Sequence, residues 1–279
     1  MRLPGGLRNH ARVEVRAALA EAAGLVLPVE CAGCGRWDVV LCDRCGELLR
    51  RPPVRCEEDA ALLAGGGTLP VLPTWSLGAY RGPLRAIVLG WKNHRRRDVA
   101  PVVLTAARAA ARTWSGDADL RDLLREHAPD PTATGNGMVE VAVVPAPSGW
   151  RRRLARRLVV ADLADAVARG LAAGWREGAP QDPPVGRVVV SDLLRRRGGR
   201  AHQAGIGARG RVANRDGTAV ALASLPPGTV AVLVDDVVTT GATLAASAAA
   251  LRARGTAVIG AFVLASTPSP SRHRRAPTL

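Results

Sequence analysis

Lysine is almost absent from this chain of 279 residues, and aromatic side chains are scarce. Lys92 is the only lysine, and the rest of the 39 Lys and Arg residues are arginine. A Walker-type phosphate loop needs Gly-Lys followed by Ser or Thr, whereas Lys92 stands between Trp91 and Asn93, so this class of nucleotide-binding site is excluded. A lysine Schiff base would have to use the same residue. Because aromatics make up only 3%, the core must consist mostly of Ala, Val and Leu.

The sequence also lacks any apolar run of membrane-spanning length, and the first residues lead into no hydrophobic signal region. We therefore expect a cytoplasmic protein without a membrane span. The net charge of +15 comes from arginine. It has two interpretations, a solvated surface in a chain that uses Arg in place of Lys, or a surface that faces a polyanion.

Composition divides the chain into five parts. We predict an N-terminal segment with a short helix over 1–30, a four-cysteine module over 31–56, a linker over 57–74, an α/β domain over 75–265 and a disordered tail over 266–279. Within the α/β domain, apolar strands alternate with helix-like segments, except over 116–137, which is expected to be a surface excursion. Such alternation predicts a mostly parallel sheet flanked by helices.

Four of the five cysteines form two Cys-x2-Cys pairs. The pairs are Cys31 with Cys34 and Cys42 with Cys45. Each pair can place two thiolates on one metal, and the two together complete a tetrahedral shell, for which Zn²⁺ is the usual ion. The alternatives are reduced structural cysteines and a disulfide pair. Cys56 is left over and receives no role.

The most specific pattern is an apolar strand, 230–234, followed by Asp235 and Asp236 and then by Thr and Gly residues that enter a helix. Ligands of open parallel sheets bind at the carboxyl ends of strands. Backbone N–H groups of such a loop and a helix N-terminus form a cradle for a phosphate. The two carboxylates would repel a phosphate unless they face hydroxyl groups or a divalent cation. A ribose 5-phosphate offers both hydroxyls and a phosphate.

Other site classes fit this pattern less well. A Walker B strand also ends in acids, but the chain has no Walker A loop. A haloacid-dehalogenase-type site needs Asp-x-Asp-x-Thr, and here the acids are adjacent. The structural alternative, two acids that cap a helix, does not account for the Thr-Thr-Gly-x-Thr that follows Val238.

The segment 235–243, Asp-Asp-Val-Val-Thr-Thr-Gly-Ala-Thr, resembles the phosphoribosyl-pyrophosphate (PRPP) motif of type I phosphoribosyltransferases. The wider layout resembles the ComF family, which joins an N-terminal four-cysteine zinc ribbon to a phosphoribosyltransferase domain. Further matches are 80–84 (Tyr-Arg-Gly-Pro-Leu), 89–92 (Leu-Gly-Trp-Lys) and 144–148 (Val-Pro-Ala-Pro-Ser). The resemblance covers about residues 25–265.

This resemblance implies a type I phosphoribosyltransferase-like fold and a set of site residues. Asp235 and Asp236 would contact the ribose hydroxyls, and Mg²⁺ would accompany the pyrophosphate. The 5-phosphate would be held by Val238, Thr239, Thr240, Gly241, Ala242 and Thr243. The pyrophosphate loop would be Ala146, Pro147, Ser148 and Gly149. A flexible closing loop over 195–215 would carry Arg195, Arg196, Arg197, Arg200 and His202.

Two departures from the family pattern limit the inference. The residues 153–156, Arg-Leu-Ala-Arg, stand where relatives carry an Arg-Gly-Phe-Asn-Gln-like stretch, and Thr239 stands where hypoxanthine-type transferases carry an acid. The second departure argues against a hypoxanthine-type acceptor. Three hypotheses stay open. The first is transfer of phosphoribosyl to an unknown nitrogen acceptor, and the second is binding of PRPP or a nucleotide, or docking of a DNA-uptake partner, without turnover. The third is nucleic-acid binding through the arginine-rich surface and the zinc ribbon.

Overall fold

The computed structural model describes residues 29–65, 70–128, 137–147, 159–178, 184–196 and 219–269. Its core is a six-stranded sheet in the order β1-β2-β8-β7-β3-β4. β1 is antiparallel to β2 and the other neighbours are parallel, as the alternating sequence pattern predicts. The strands of this sheet are β1 (Val54–Arg55), β2 (Thr74–Ser76), β3 (Val139–Pro145), β4 (Val185–Val190), β7 (Thr229–Val238) and β8 (Ala257–Ser266). Two further strands, β5 (Leu194–Arg196) and β6 (Ala219–Ala221), pair antiparallel with each other.

Six α-helices are found in the described part of the chain. They are α1 (Asp43–Arg50), α2 (Gly82–Lys92), α3 (Ala100–Trp114), α4 (Ala118–Glu126), α5 (Val159–Glu177) and α6 (Ala242–Arg252). Short 3-10 helices cover Glu57–Asp59 and Arg97–Val99. Among the described residues, no helix is both long and apolar enough to cross a membrane.

Alternate side chains of the central strands enter two separate cores, as the two-residue period of a strand requires. On β7, Val232 and Val234 belong to the core shared with α2, α3, α5 and the cysteine module, whereas Ala231 and Leu233 belong to the core shared with α6. The first core is centred on Trp114, whose ring lies 5.1 Å from that of Trp75. The sheet is therefore covered on both faces, as its apolar strands predict.

The order in which the chain adds strands to the sheet reverses between β3 and β7. From β7 the chain continues to β8 on one side, and from β3 it continues to β4 on the other. In open α/β sheets, the crevice at such a switch point is where ligands bind. At its carboxyl end, β7 also extends beyond β3, because Pro145, the last residue of β3, pairs with Val234, and β7 continues to Val238. The remainder of β7, Asp235–Val238, pairs with β8 alone. This overhang leaves open space on the β3 side.

The structure differs from the sequence prediction in four places. Arg195 and Arg196, expected in a flexible loop, belong to β5, and Ser266, expected in the disordered tail, is the last residue of β8. The region 116–137, expected to be a surface excursion, contains α4, which begins where the Asp117 carboxylate accepts a hydrogen bond from the Leu120 N–H at 3.1 Å. The predicted linker 57–74 contains a 3-10 helix and two fully buried leucines, Leu63 and Leu72. Its first residues continue directly from β1, which is a strand of the main sheet. The predicted domain boundaries stay predictions.

Candidate functional site

The two adjacent acids lie within the overhanging end of β7, and they are not equivalent. Asp236 has the same parity as Val232 and Val234, and its side chain is almost completely buried. Its Oδ1 accepts a hydrogen bond from the Lys92 ammonium at 2.7 Å. Asp235 is half-buried, and its Oδ1 accepts from the Asp236 N–H at 2.8 Å. Consecutive residues of a strand point to opposite faces, so the Asp235 and Asp236 carboxylates lie in different environments.

Lys92 reaches this pair from the last turn of α2. The apolar residues of α2 that face the core, Leu84, Ile87, Val88 and Trp91, fix the helix against the sheet. The Lys92 side chain is partly exposed, and it belongs to the wall of the cavity described below. The ion pair places one positive charge against the buried carboxylate. The site can therefore accept an anion at a lower electrostatic cost than two unpaired carboxylates would allow.

Residues 239–243 form a tight loop between β7 and α6. Gly241 adopts φ +81°, a left-handed conformation that residues with a Cβ rarely adopt. The Thr240 hydroxyl accepts a hydrogen bond from the Ala242 N–H at 3.3 Å, and α6 begins at Ala242. The first N–H groups of a helix have no partner within the helix, and the helix dipole places partial positive charge there. N–H groups of this kind can bind anions, and the role of this loop in holding a phosphate stays a prediction.

A cavity of about 380 Å³ opens at the overhang, between the ends of β3 and β7. The volume falls within the range usual for small-molecule sites. Its wall consists of Tyr80, Lys92, Ala146, Pro147, Val160, Arg196, Asp235, Asp236, Val237, Val238, Thr239, Thr240, Gly241, Ala242, Thr243 and Leu244. Two cationic and two anionic residues thus contribute to the wall of one space, together with a helix N-terminus. Such a wall suits a ligand that combines hydroxyl groups with phosphates.

The predicted site residues that the structure describes come together, with one exception. Asp235, Asp236, the 238–243 segment, Ala146 and Pro147 all line the cavity. Of the predicted flexible loop, Arg196 lines it, whereas Arg195 pairs with Asp192 at 2.8 Å and is absent from the lining. Ser148 and Gly149 of the predicted pyrophosphate loop lie outside the described residues, as do Arg197, Arg200 and His202 of the predicted flexible loop.

Among the polar and charged residues of this wall, sequence reasoning assigned no role to Lys92 and Tyr80. Both lie in segments that carry the family resemblance. The unique occurrence of lysine in the chain was an available signal for Lys92. The pairing of Lys92 with Asp236 was not predictable, because 144 residues of sequence separate the two.

The four paired cysteines converge in the structure, as the spacing predicts. Their Sγ atoms all lie within 4.8 Å of one another, and Cys42 Sγ lies 3.7 Å from the Sγ atoms of both Cys31 and Cys34. A tetrahedron of sulfurs about 2.3 Å from a zinc ion has edges of about 3.8 Å. These residues therefore fit a Zn²⁺ ion, which would tie the Cys31–Cys34 turn to the start of α1.

The backbone around Cys31 favours the thiolate form of this residue. Burial opposes ionisation of Cys31, but N–H groups of Cys42, Cys34 and Gly33 outweigh it and lower the pKa of Cys31 to about 6. Gly33 is needed at its position, because a Cβ there would lie 2.6 Å from Cys45 Sγ. Burial raises the pKa of Cys45. Cys56 lies apart in the second core, where burial is the main cause that raises its pKa to about 11.

The fold and the cavity define an α/β protein with a crevice at a topological switch point, where charged residues and a helix N-terminus line the wall. Residues 163–278 match the family model of the phosphoribosyl transferase domain. The matched range includes β7, α6 and β8, and with them the acid pair and the loop. No curated protein matches the chain. The chain thus carries a phosphoribosyltransferase domain, with a four-cysteine cluster near its N-terminus.

Proposed function

We propose that the protein binds PRPP together with Mg²⁺ in this cavity and transfers the phosphoribosyl group to a nitrogen acceptor with release of pyrophosphate. The observation that carries the proposal is the overhang of β7. It brings the acid pair, the loop 239–243 and the N-terminus of α6 to one cavity. This arrangement matches the hydroxyls and the 5-phosphate of a ribose 5-phosphate group.

In the proposed complex, Asp235 and Asp236 accept hydrogen bonds from the ribose hydroxyls. Backbone N–H groups of the loop and the start of α6 hold the 5-phosphate. Pro147 ends the described part of the predicted pyrophosphate loop, and Lys92 and Arg196 supply positive charge on the cavity wall. Lys92 and Asp236 already form an ion pair within the cavity wall before the ligand enters.

The proposed reaction is a substitution at C1 of the ribose. The bond between C1 and the pyrophosphate oxygen breaks, and its electron pair leaves with the pyrophosphate. The bond between C1 and the acceptor nitrogen forms, and the nitrogen loses a proton. Positive charge that develops on the ribose ring lies near the carboxylate of Asp235, while the leaving group is near the cationic side chains. Charges positioned in advance in this way lower the barrier.

Two metal ions belong to the proposal. Mg²⁺ prefers carboxylate and phosphate oxygens, and the half-buried Asp235 carboxylate on the cavity wall fits such an ion when PRPP is bound. There the ion would neutralise charge on the leaving pyrophosphate. Zn²⁺ would be held by Cys31, Cys34, Cys42 and Cys45 and would be structural, because four thiolates complete its shell.

The finer assignments also remain proposals. Membership of the ComF family rests on the sequence resemblance and on the convergence of the four cysteines ahead of the transferase domain. The link to DNA uptake follows from that resemblance alone, whereas nucleic-acid binding rests on the arginine-rich composition of the chain. The acceptor is a nitrogen compound of unknown identity, and Thr239 at the position of the hypoxanthine-type acid directs the search toward other bases and amines.

The test is a titration with PRPP, with and without Mg²⁺, followed by an assay of pyrophosphate release over a panel of nucleobases and amines. We expect saturable binding that strengthens with Mg²⁺ and release that depends on one class of acceptor. Binding without release from any acceptor would replace the transferase with a non-catalytic PRPP-binding module. Absence of PRPP binding would overturn the proposal.

A further inference from the structure

The phosphate loop, residues 239–243 between β7 and α6, is supported from outside the matched transferase domain by a segment near the N-terminus. We define the supporting segment as residues 56–63, which follow β1 and contain the 3-10 helix Glu57–Asp59. The sequence predicts a linker here. In the structure, however, the supporting segment lies against the loop that enters α6, and its contacts are specific.

The supporting segment is anchored before it reaches the loop. The Cys56 N–H donates to the Thr74 carbonyl on β2 at 2.8 Å. The Asp59 carboxylate accepts from the Ser266 hydroxyl at the end of β8, at 3.0 Å, and from the Ser269 N–H at 3.4 Å. The supporting segment is therefore fixed to two strands of the main sheet, so that its far end has a defined position relative to the cavity.

The far end makes two contacts with the phosphate loop. The Leu62 N–H donates to the Thr240 carbonyl at 3.3 Å. Leu63 is fully buried, and it fills the space on the Cβ side of Gly241: a Cβ built there would lie 2.4 Å from Leu63 Cγ. Leu63 is itself held by its carbonyl, which accepts from the Leu72 N–H at 3.0 Å. One face of the loop thus rests on Leu63, while other atoms of the loop line the cavity.

We propose that Leu63 is a positioning residue for the phosphate loop and sets the affinity of the site for a ribose 5-phosphate group without contacting it. The inference rests on the proposed function, because it assumes that the loop binds that phosphate. Gly241 in its left-handed conformation has no side chain to hold the loop in place. The packing of Leu63 and the Leu62 hydrogen bond restrict the loop instead.

The loss of this packing would lower the fraction of molecules in which the loop has its binding-competent conformation. When a binding-competent conformation is only a fraction of all conformations, the apparent dissociation constant rises by the inverse of that fraction. Truncation of Leu63 to alanine leaves a void beside Gly241, and the loop can then occupy other conformations. If the competent form falls to about a tenth of the population, the dissociation constant rises about tenfold.

The experiment compares three variants of the full chain with wild type by calorimetry, with PRPP·Mg²⁺ and with ribose 5-phosphate as ligands. We expect Leu63→Ala to weaken both ligands by a common factor of about ten. Leu63→Met, which refills the space, is expected to bind nearly as wild type does. The matched control is Leu171→Ala, a fully buried leucine of α5 that is not part of the cavity wall, and its affinities are expected to stay unchanged.

A second measurement does not require a variant. Hydrogen exchange at the Leu62 amide reports on its bond to the Thr240 carbonyl, and we expect PRPP·Mg²⁺ to slow that exchange in wild type. Unchanged affinity in a folded Leu63→Ala variant, or equal weakening by Leu171→Ala, would overturn the inference while leaving the proposed function intact. If Leu63→Ala does not fold, unchanged exchange at Leu62 on ligand binding overturns it. No binding of either ligand to wild type would overturn both proposals.

Discussion

The ion pair between Lys92 and Asp236 allows a quantitative prediction. The Asp236 side chain is 3% exposed and the Lys92 side chain 28% exposed, and the charged atoms lie 2.7 Å apart. Two unit charges 4 Å apart attract by about 4 kcal/mol at an effective dielectric constant near 20. Desolvation of the carboxylate offsets much of this attraction. We therefore expect a net coupling of about 1–3 kcal/mol between the two side chains.

The perturbation is a double-mutant cycle with Lys92→Met, Asp236→Asn and the double variant. Lys92→Met leaves a buried carboxylate without its cation, which costs about 3–5 kcal/mol where both partners are fully buried. Because Lys92 is partly exposed, we expect the lower end of that range. The double variant is expected to lose less stability than the sum of the single losses, because no charge is then left alone.

The assay is urea denaturation of each variant, combined with calorimetric titration of PRPP·Mg²⁺. We expect Lys92→Met to weaken PRPP binding by about tenfold or more, since one unit of positive charge is removed from the cavity wall. A coupling free energy below about 0.5 kcal/mol would contradict the energetic reasoning. Wild-type PRPP affinity in Lys92→Met would contradict the placement of Lys92 in the binding site.

Three further predictions concern the metal, the loop and the arginines. Protein purified without added metal is expected to contain one zinc per chain by elemental analysis and to lose it in Cys45→Ser; well under one equivalent in wild type would contradict the assignment. Gly241→Ala is expected to lower the free energy of unfolding by more than Gly255→Ala does. Gly255 also has a left-handed backbone, but a new Cβ there has no atom within 4 Å, so this control measures the conformational cost alone, about 1–2 kcal/mol. Equal losses would show that Leu63 moves away from the new Cβ at no cost. Arg196→Gln is expected to weaken PRPP binding, whereas Arg195→Gln, which breaks the pair with Asp192, is expected to have little effect; the reverse order would contradict the position of the cavity wall.

Local sequence patterns predicted the strands and the site loop, because each depends on a few neighbouring residues. The apolar run before Asp235 has the composition of a buried strand, and Gly241 marks the turn into α6. The Cys-x2-Cys spacing likewise fixes each pair through local backbone geometry. The convergence of both pairs on one point is the arrangement that four ligands of a single metal would require, and the two spacings together predict it.

Long-range contacts could not be read from the sequence. The length by which β7 extends beyond β3 depends on the register of the two strands, which places Pro145 opposite Val234. As a result, the acids lie inside the strand and divide between two environments, whereas the sequence predicts a pair that follows the strand. The packing of Leu63 on Gly241 joins residues far apart in the chain, and the Gly- and Pro-containing composition of 57–74 predicts only a linker.

The central claim is that the overhang of β7 binds PRPP, and calorimetry of the full chain with PRPP and Mg²⁺ tests it most directly. Asp235→Asn is the variant of choice, because a change at Asp236 would also break the buried ion pair with Lys92. Loss of one charge-assisted hydrogen bond, about 1.5–3 kcal/mol, predicts affinity about tenfold to a hundredfold weaker than that of wild type. The control, Asp119→Asn on α4, removes an exposed acid outside the cavity wall and is expected to bind as wild type does. Failure of wild type to bind PRPP, or equal affinity in Asp235→Asn, would contradict the claim.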